Sequence, residues 1–132
     1  MPAQPMPNDS YAGDIDSKTA WKLLERTFGA LLVDVRTKDE WAAVGQPDVE
    51  KSKMLSITFC SYPEMQVNKN FAREMENKVK DKSIPLLFIC KGGGRSRAAA
   101  ELMAARGYRN CYNIYDGYEG GWKNSLPWRA TL

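Results

Sequence analysis

A short apolar run that leads directly into a cysteine and three glycines is the feature that most constrains how this chain can fold. The run Leu86–Ile89 is the strongest strand pattern in the sequence, and Cys90 follows it immediately. Residues 92–94 are all glycine, and residues 95–106 have the composition of a good helix that ends before Gly107. A strand, a tight glycine loop and a helix in succession predict one unit of a parallel α/β sheet.

The rest of the sequence alternates between the same two kinds of pattern. Strand-like runs occupy residues 30–35, 54–59 and 111–115. Apolar residues at helical spacing occupy residues 17–28, 38–43 and 68–79. Glycines at positions 117, 120 and 121 predict irregular structure after the last strand.

These patterns predict one domain. A chain of 132 residues without an internal repeat is of the usual size for a single domain. We predict an α/β fold over residues 14–132, with a central parallel sheet flanked by helices on both faces. Residues 1–13 contain three prolines and are predicted to form a flexible arm.

Composition and charge exclude several classes of function. The sequence has no histidine, so it lacks the commonest general base and the commonest transition-metal ligand. Its 19 basic and 16 acidic residues leave a net charge of only +3, which does not indicate a nucleic-acid partner. No apolar run approaches the roughly 18 residues of a membrane span, and the three cysteines lack metal-ligand spacing. We expect a cytoplasmic protein with reduced thiols, no metal and no cofactor.

Cys90 and the loop that follows it carry the predicted chemistry. Ligands of open parallel sheets bind beyond the carboxyl ends of the strands, where Cys90 is placed by the pattern. Successive glycines allow backbone N–H groups to converge on an anion, and Lys91 and Arg95 add positive charge. This environment favours a thiolate, so we predict that Cys90 is a nucleophile. The predicted substrate-binding loop comprises Lys91, Gly92, Gly93, Gly94, Arg95 and Ser96.

Three segments of the sequence resemble the rhodanese-like sulfurtransferases. The loop from Cys90 to Ser96 resembles the active-site loop of that family. Residues 32–41, which include Asp34 and Arg36, are similar to the segment in which a family strand ends in Asp-x-Arg and leads to an acidic-aromatic pair. Residues 115–122 are similar to its C-terminal pattern of an acidic residue, glycine and tryptophan. The resemblance implies a single rhodanese-like domain.

The resemblance also implies an activity and roles for individual residues. Cys90 would attack the outer sulfur of thiosulfate, sulfite would leave, and loop amides would hold the persulfide until a thiol or cyanide accepts the sulfur. Lys91 and Arg95 would orient the anionic donor, while Asp34 and Arg36 would brace the site. A protein could also act as sulfur donor or acceptor.

Other interpretations stay open at this point. Related phosphatases and arsenate reductases use a similar loop that is one residue longer, so the short loop favours sulfur over phosphate or arsenate. A binding or sensing module on the same fold would not need Cys90 at all. Cys60 could relay sulfur, whereas Cys111 in an apolar strand is predicted to be packing. Residues 44–48 replace the family stretch Gly-His-Ile-Pro-Gly-Ala, which leaves one pocket wall undefined.

Overall fold

The computed structural model describes residues 11–61 and 63–125 of the chain. The strands are β1 (Gly13–Ile15), β2 (Leu31–Asp34), β3 (Met54–Ser56), β4 (Cys60–Ser61), β5 (Gln66–Val67), β6 (Leu86–Ile89) and β7 (Cys111–Ile114). The α-helices are α1 (Ser17–Arg26), α2 (Lys38–Val44), α3 (Phe71–Lys78), α4 (Gly94–Ala105) and α5 (Gly117–Gly120). Single 3₁₀ turns cover Lys51–Lys53 and Trp122–Asn124. None of the helices in these ranges is long and apolar enough to cross a bilayer.

Five strands form one parallel sheet in the order β1-β7-β6-β2-β3. β6 lies in the middle and is buried along its whole length, as expected for a strand covered on both faces. The register pairs Asp34 with Ile89, so Val35 and Cys90 leave the sheet side by side at its carboxyl edge. The predicted α/β class with a central parallel sheet is confirmed. β4 and β5 form a separate antiparallel hairpin.

Helices cover both faces of the sheet, as predicted. On one face, α3 and α4 pack against apolar residues of the sheet and bury Phe71, Met75 and Met103. On the other face, α1 and the 3₁₀ turn after α5 bury Leu24 and Trp122. The Trp122 ring meets that of Trp21 edge to face, with centroids 6.0 Å apart. Trp122 therefore packs in the core.

Strand β1 has no counterpart among the predicted elements. It pairs with β7 at the edge of the sheet, and Ala12 N–H donates to the Cys111 carbonyl oxygen at 2.7 Å. The sequence carries no strand signal here, because the segment is three residues long, begins with Gly13 and exposes Asp14. The arm predicted for residues 1–13 thus contains the first residue of a strand, and its residues 1–10 lie outside the described ranges.

Other elements also differ from the predicted ones, including α3, which begins at Phe71 and not at residue 68. α1 ends at Arg26, because Thr27 is extended, and this leaves Phe28 fully exposed instead of on the apolar helix face. The third strand stops at Ser56 and not at residue 59, although Phe59 N–H still donates to the Val35 carbonyl oxygen at 3.0 Å. The glycine-rich segment predicted as irregular contains α5, whose Tyr118 N–H donates to the Cys90 carbonyl oxygen at 2.8 Å.

Candidate active site

The thiol of Cys90 lies at the base of the loop that joins β6 to α4. The Cys90 side chain is buried, its Sγ accepts the N–H of Gly93 at 3.0 Å, and the Sγ lies 3.2 Å from Ser96 Oγ. The loop residues lead directly into the amino end of α4, where the helix dipole is positive. The Gly93 N–H and the amino end of α4 thus both direct positive partial charge at this sulfur.

Two glycines allow the loop to pack against the segment that precedes α5. Gly93 has φ +105°, and a Cβ at this position would lie 2.5 Å from the Tyr115 carbonyl oxygen. Gly117 has φ +66°, and its Cβ would lie 2.3 Å from the Lys91 carbonyl oxygen. The N–H of Tyr118 also donates to the Cys90 carbonyl oxygen at 2.8 Å. The backbone around Cys90 is therefore packed closely against residues 115–118.

Replacing Gly93 with alanine is expected to destabilise the protein by about 2–4 kcal/mol, since it combines a left-handed backbone with a clash against a carbonyl oxygen. Gly92→Ala is the matched control, because a Cβ at Gly92 meets no described atom within 4 Å. Its expected cost is below about 1 kcal/mol. Urea unfolding of both variants measures the difference, and equal midpoints would show that the loop does not depend on this close approach.

Ser96 connects Cys90 to a chain of hydrogen bonds that crosses the sheet. Ser96 Oγ donates to Asn113 Oδ1 at 2.6 Å, and Asn113 Nδ2 donates to Asp14 Oδ1 at 2.9 Å. The Tyr11 hydroxyl donates to the same carboxylate oxygen at 3.1 Å. Ser96 has a single hydroxyl proton, which it can donate to Asn113 while Cys90 is a thiol or to the sulfur when Cys90 is a thiolate. Sequence reasoning missed Asn113, although a polar residue within the apolar strand Cys111–Ile114 signals a buried partner.

Arg95 is paired with Glu40, the second residue that sequence reasoning missed. Arg95 Nη1 lies 2.6 Å from Glu40 Oε1, and Arg95 Nη2 lies 3.0 Å from Glu40 Oε2. Burial by itself raises the pKa of Glu40, but hydrogen bonds from Arg95 and from Thr37 outweigh it and hold that pKa at about 2. The signal was available in part, since Thr37 and Glu40 have the spacing of a helix capping box.

Lys91, the other predicted cation of the loop, lies in a different environment from Arg95. Its side chain is exposed, and within the described ranges it has no ion-pair partner. Both loop cations were predicted to orient an anion. Arg95 is paired with the Glu40 carboxylate, whereas Lys91 is exposed to solvent.

Asp34 and Arg36 form a buried ion pair behind the loop. Arg36 Nη2 lies 2.7 Å from Asp34 Oδ2, and Arg36 Nε donates to Asp34 Oδ1 at 3.0 Å. The guanidinium also donates to the Gly45 carbonyl oxygen at 2.8 Å and lies 4.1 Å from the centre of the Tyr118 ring. The pair thus joins the end of β2, the end of α2 and α5, which is the geometry that a bracing role requires.

Segment 44–48, where the chain departs from the common family stretch, lies beside this ion pair. The Val44 carbonyl oxygen accepts the Tyr118 hydroxyl at 3.3 Å, and Gln46 Oε1 accepts the Ser56 hydroxyl at 3.2 Å. On the same carboxyl edge of the sheet lies a cleft of about 350 Å³. Its lining residues are Thr37, Lys38, Asp39, Thr58 and Ser61.

All three cysteines are free and buried. Burial raises the pKa of Cys111 to about 12, in keeping with its predicted packing role. Burial also raises the pKa of Cys60, while Arg95 lowers it and Cys90 raises it further. Cys60 is therefore within electrostatic range of Arg95 and Cys90, and its relay role stays a prediction. In the described residues, no group of three or more His, Cys, Asp or Glu side chains could hold a metal ion.

Comparison with known proteins identifies related chains. Residues 13–131 match the family described as the STR4 middle domain. Uncharacterized protein RP600 of Rickettsia prowazekii is 40% identical over 124 residues, which cover 88% of this chain and 96% of that protein. Rhodanese-like domain-containing protein 4, chloroplastic, of Arabidopsis thaliana is 33% identical over 118 residues, which cover 85% of this chain and 24% of that protein.

A relative named as a thiosulfate sulfurtransferase and a solved structure extend these similarities. Thiosulfate sulfurtransferase GlpE of Actinobacillus succinogenes is 27% identical over 114 residues, covering 86% of this chain and 87% of that protein. The crystal structure of Rv0390 from M. tuberculosis superposes with a TM-score of 0.77 at 32% identity, covering 88% of this chain and 95% of that one. The parallel sheet, the Cys90 loop and these similarities agree: the chain belongs to the rhodanese-like superfamily, in the family described as the STR4 middle domain.

Proposed function

We propose that this protein is a sulfurtransferase in which Cys90 carries sulfur between a donor and an acceptor. The Cys90 thiolate attacks the outer sulfur of thiosulfate or a similar sulfane donor, and the donor S–S bond breaks. The electron pair leaves with sulfite when the donor is thiosulfate, and with the donor's thiolate when the donor is a persulfide. Cys90 then bears a persulfide. A thiol or cyanide attacks the terminal sulfur, which departs as a new persulfide or as thiocyanate and regenerates the Cys90 thiolate.

The observation that carries the proposal is the contact between the Gly93 N–H and the sulfur of Cys90 at the amino end of α4. This donor supports negative charge on the thiolate before transfer, and converging loop N–H groups can support it on the terminal sulfur afterwards. No histidine is required for either state. The similarity to a thiosulfate sulfurtransferase of Actinobacillus succinogenes over most of both chains adds support.

The phosphatase and arsenate reductase interpretation is less well supported. Recognition of phosphate commonly uses an arginine whose two N–H groups are free to bind two oxygens. In this site Glu40 occupies two of the five N–H groups of Arg95, one on each terminal nitrogen, and neutralises the guanidinium charge that would attract a phosphate. A binding or sensing module is also less well supported, because such a module has no need for a polarised thiol at the end of β6.

The partners in this proposal are a small anionic sulfur donor and a thiol or cyanide acceptor, with a protein as a further candidate for either position. A reducing compartment such as the cytoplasm would keep the Cys90 thiol available, and all three cysteines are free.

A comparison of substrates on the purified protein tests the proposal. With thiosulfate and cyanide we expect thiocyanate to form with turnover, and we expect neither hydrolysis of p-nitrophenyl phosphate nor reduction of arsenate. Thiocyanate formation at the uncatalysed rate, together with phosphate release or arsenate reduction, would replace the proposal with the alternative activity.

A further inference from the structure

Arg95, the loop cation expected to orient an anionic donor, is already neutralised. It forms a bidentate pair with Glu40 at 2.6 and 3.0 Å, and the two side chains are only 18% and 22% exposed. Charge-assisted bidentate pairs are stronger than ordinary hydrogen bonds, and partial burial limits their screening by salt. Arg95 therefore contributes little net positive charge to the site.

Glu40 is itself held in place by the start of α2. Its Oε1 accepts the N–H of Thr37 at 2.9 Å, and its own N–H donates to Thr37 Oγ1 at 3.1 Å. Movement of the carboxylate away from Arg95 would break this capping box as well as the ion pair. An incoming anion that competes for Arg95 must therefore do so with Glu40 still nearby.

The other charged groups around the loop add little positive charge. Lys91 is exposed and, among the residues described, has no ion-pair partner. The backbone of Glu119 lies beside that of Lys91, since the Glu119 nitrogen is 3.3 Å from the Lys91 carbonyl oxygen. The cleft beside the site has one charge of each sign, from Lys38 and Asp39.

We infer that the Glu40–Arg95 pair makes this site selective for singly charged persulfide donors over the dianion thiosulfate, an inference that rests on the proposed function of Cys90. A persulfide brings one negative charge, which Lys91 and the loop N–H groups can balance. Thiosulfate brings two, and the Glu40 carboxylate cancels the attraction that Arg95 would otherwise exert on the second. Glu40 is a positioning residue, because it acts on the donor through Arg95.

The loading step balances without a further reactant. The Cys90 thiolate attacks the outer sulfur of a donor persulfide R–S–S⁻, and a new bond forms between that sulfur and Sγ. The S–S bond of the donor breaks, and R–S⁻ leaves with the electron pair. Cys90 keeps the outer sulfur as its own persulfide anion, so the number of charges is unchanged.

The test is the ratio of two loading rates in the full-length protein. Cys90 is loaded either from thiosulfate or from 2-hydroxyethyl persulfide, whose only charge is that of the persulfide, and the samples are quenched at intervals and analysed by intact mass. In Glu40→Gln, where the glutamine can still cap α2, we expect the ratio of thiosulfate to persulfide rate constants to rise about tenfold. The thiosulfate rate of this variant should also fall more steeply with added NaCl than that of wild type.

Glu25→Gln is the matched control, because it removes a carboxylate paired with Lys53 at 3.3 Å and lies at the opposite edge of the sheet. Its ratio should equal that of wild type. Because the ratio compares two donors on one variant, it does not depend on the fraction of folded protein. An unchanged ratio in Glu40→Gln would overturn the inference while sulfur transfer stands. Failure of both donors to load wild-type Cys90 would instead contradict the proposed function.

Discussion

Replacement of Cys90 with serine is expected to lower kcat/KM for thiosulfate and cyanide by at least about 10³-fold. A serine hydroxyl is a poor nucleophile towards sulfur and cannot form a persulfide, so the loading step is lost rather than slowed. The substitution should leave the fold intact, because the serine oxygen can accept the Gly93 N–H that now binds the sulfur.

Cys111→Ala provides the control for loss of a thiol without loss of the site. Cys111 is fully buried on β7, and its thiol contacts the Tyr108 carbonyl oxygen rather than the loop. We expect its kcat/KM to stay close to that of wild type. Activity of Cys90→Ser similar to that of Cys111→Ala would show that another group carries the sulfur.

Removal of the Asp34 carboxylate is expected to have the largest effect on stability. Asp34 and Arg36 are 0% and 1% exposed, so Asp34→Ala leaves a guanidinium buried without its counter-charge. Breaking one side of a buried pair costs about 3–5 kcal/mol, most of which is the unpaired charge and not the lost attraction. Urea unfolding should show a correspondingly lower midpoint.

Two further variants test whether the loss of stability in Asp34→Ala comes from the burial of an unpaired charge. Glu76→Ala breaks an exposed pair with Arg106 at 2.9 Å, for which about 0–1 kcal/mol is expected. The double replacement Asp34→Ala with Arg36→Leu removes both buried charges, so it should be more stable than Asp34→Ala alone. Equal losses in Asp34→Ala and Glu76→Ala would mean that the buried pair does not brace the fold.

The centre of the fold and of the site could be predicted because its signals are local. The β6 strand and α4 helix were predicted to within a residue at each end, since an apolar run, a glycine loop and a helix-forming segment follow one another directly. Cys90 was placed at the end of β6 by the same pattern. Asp34 and Arg36 could be assigned to a pair because two residues at the end of one strand stay close together.

The contacts that set the charge and protonation of the site could not be predicted in the same way. Arg95 meets Glu40 across 55 positions of sequence, and Asn113 meets Asp14 across 99. Such contacts depend on the order of strands in the sheet, which local periodicity does not specify. β1 was missed for a related reason, because three residues beginning with glycine become a strand only when β7 offers its edge.

Intact mass of the protein after incubation with a sulfane donor, before and after cyanide, tests the central claim most directly. We predict a gain equal to one sulfur atom in wild type, its removal by cyanide, and no gain in Cys90→Ser. The absence of any adduct in wild type with thiosulfate, glutathione persulfide or mercaptopyruvate, or an adduct that persists in Cys90→Ser, would contradict the account of Cys90 as the sulfur carrier.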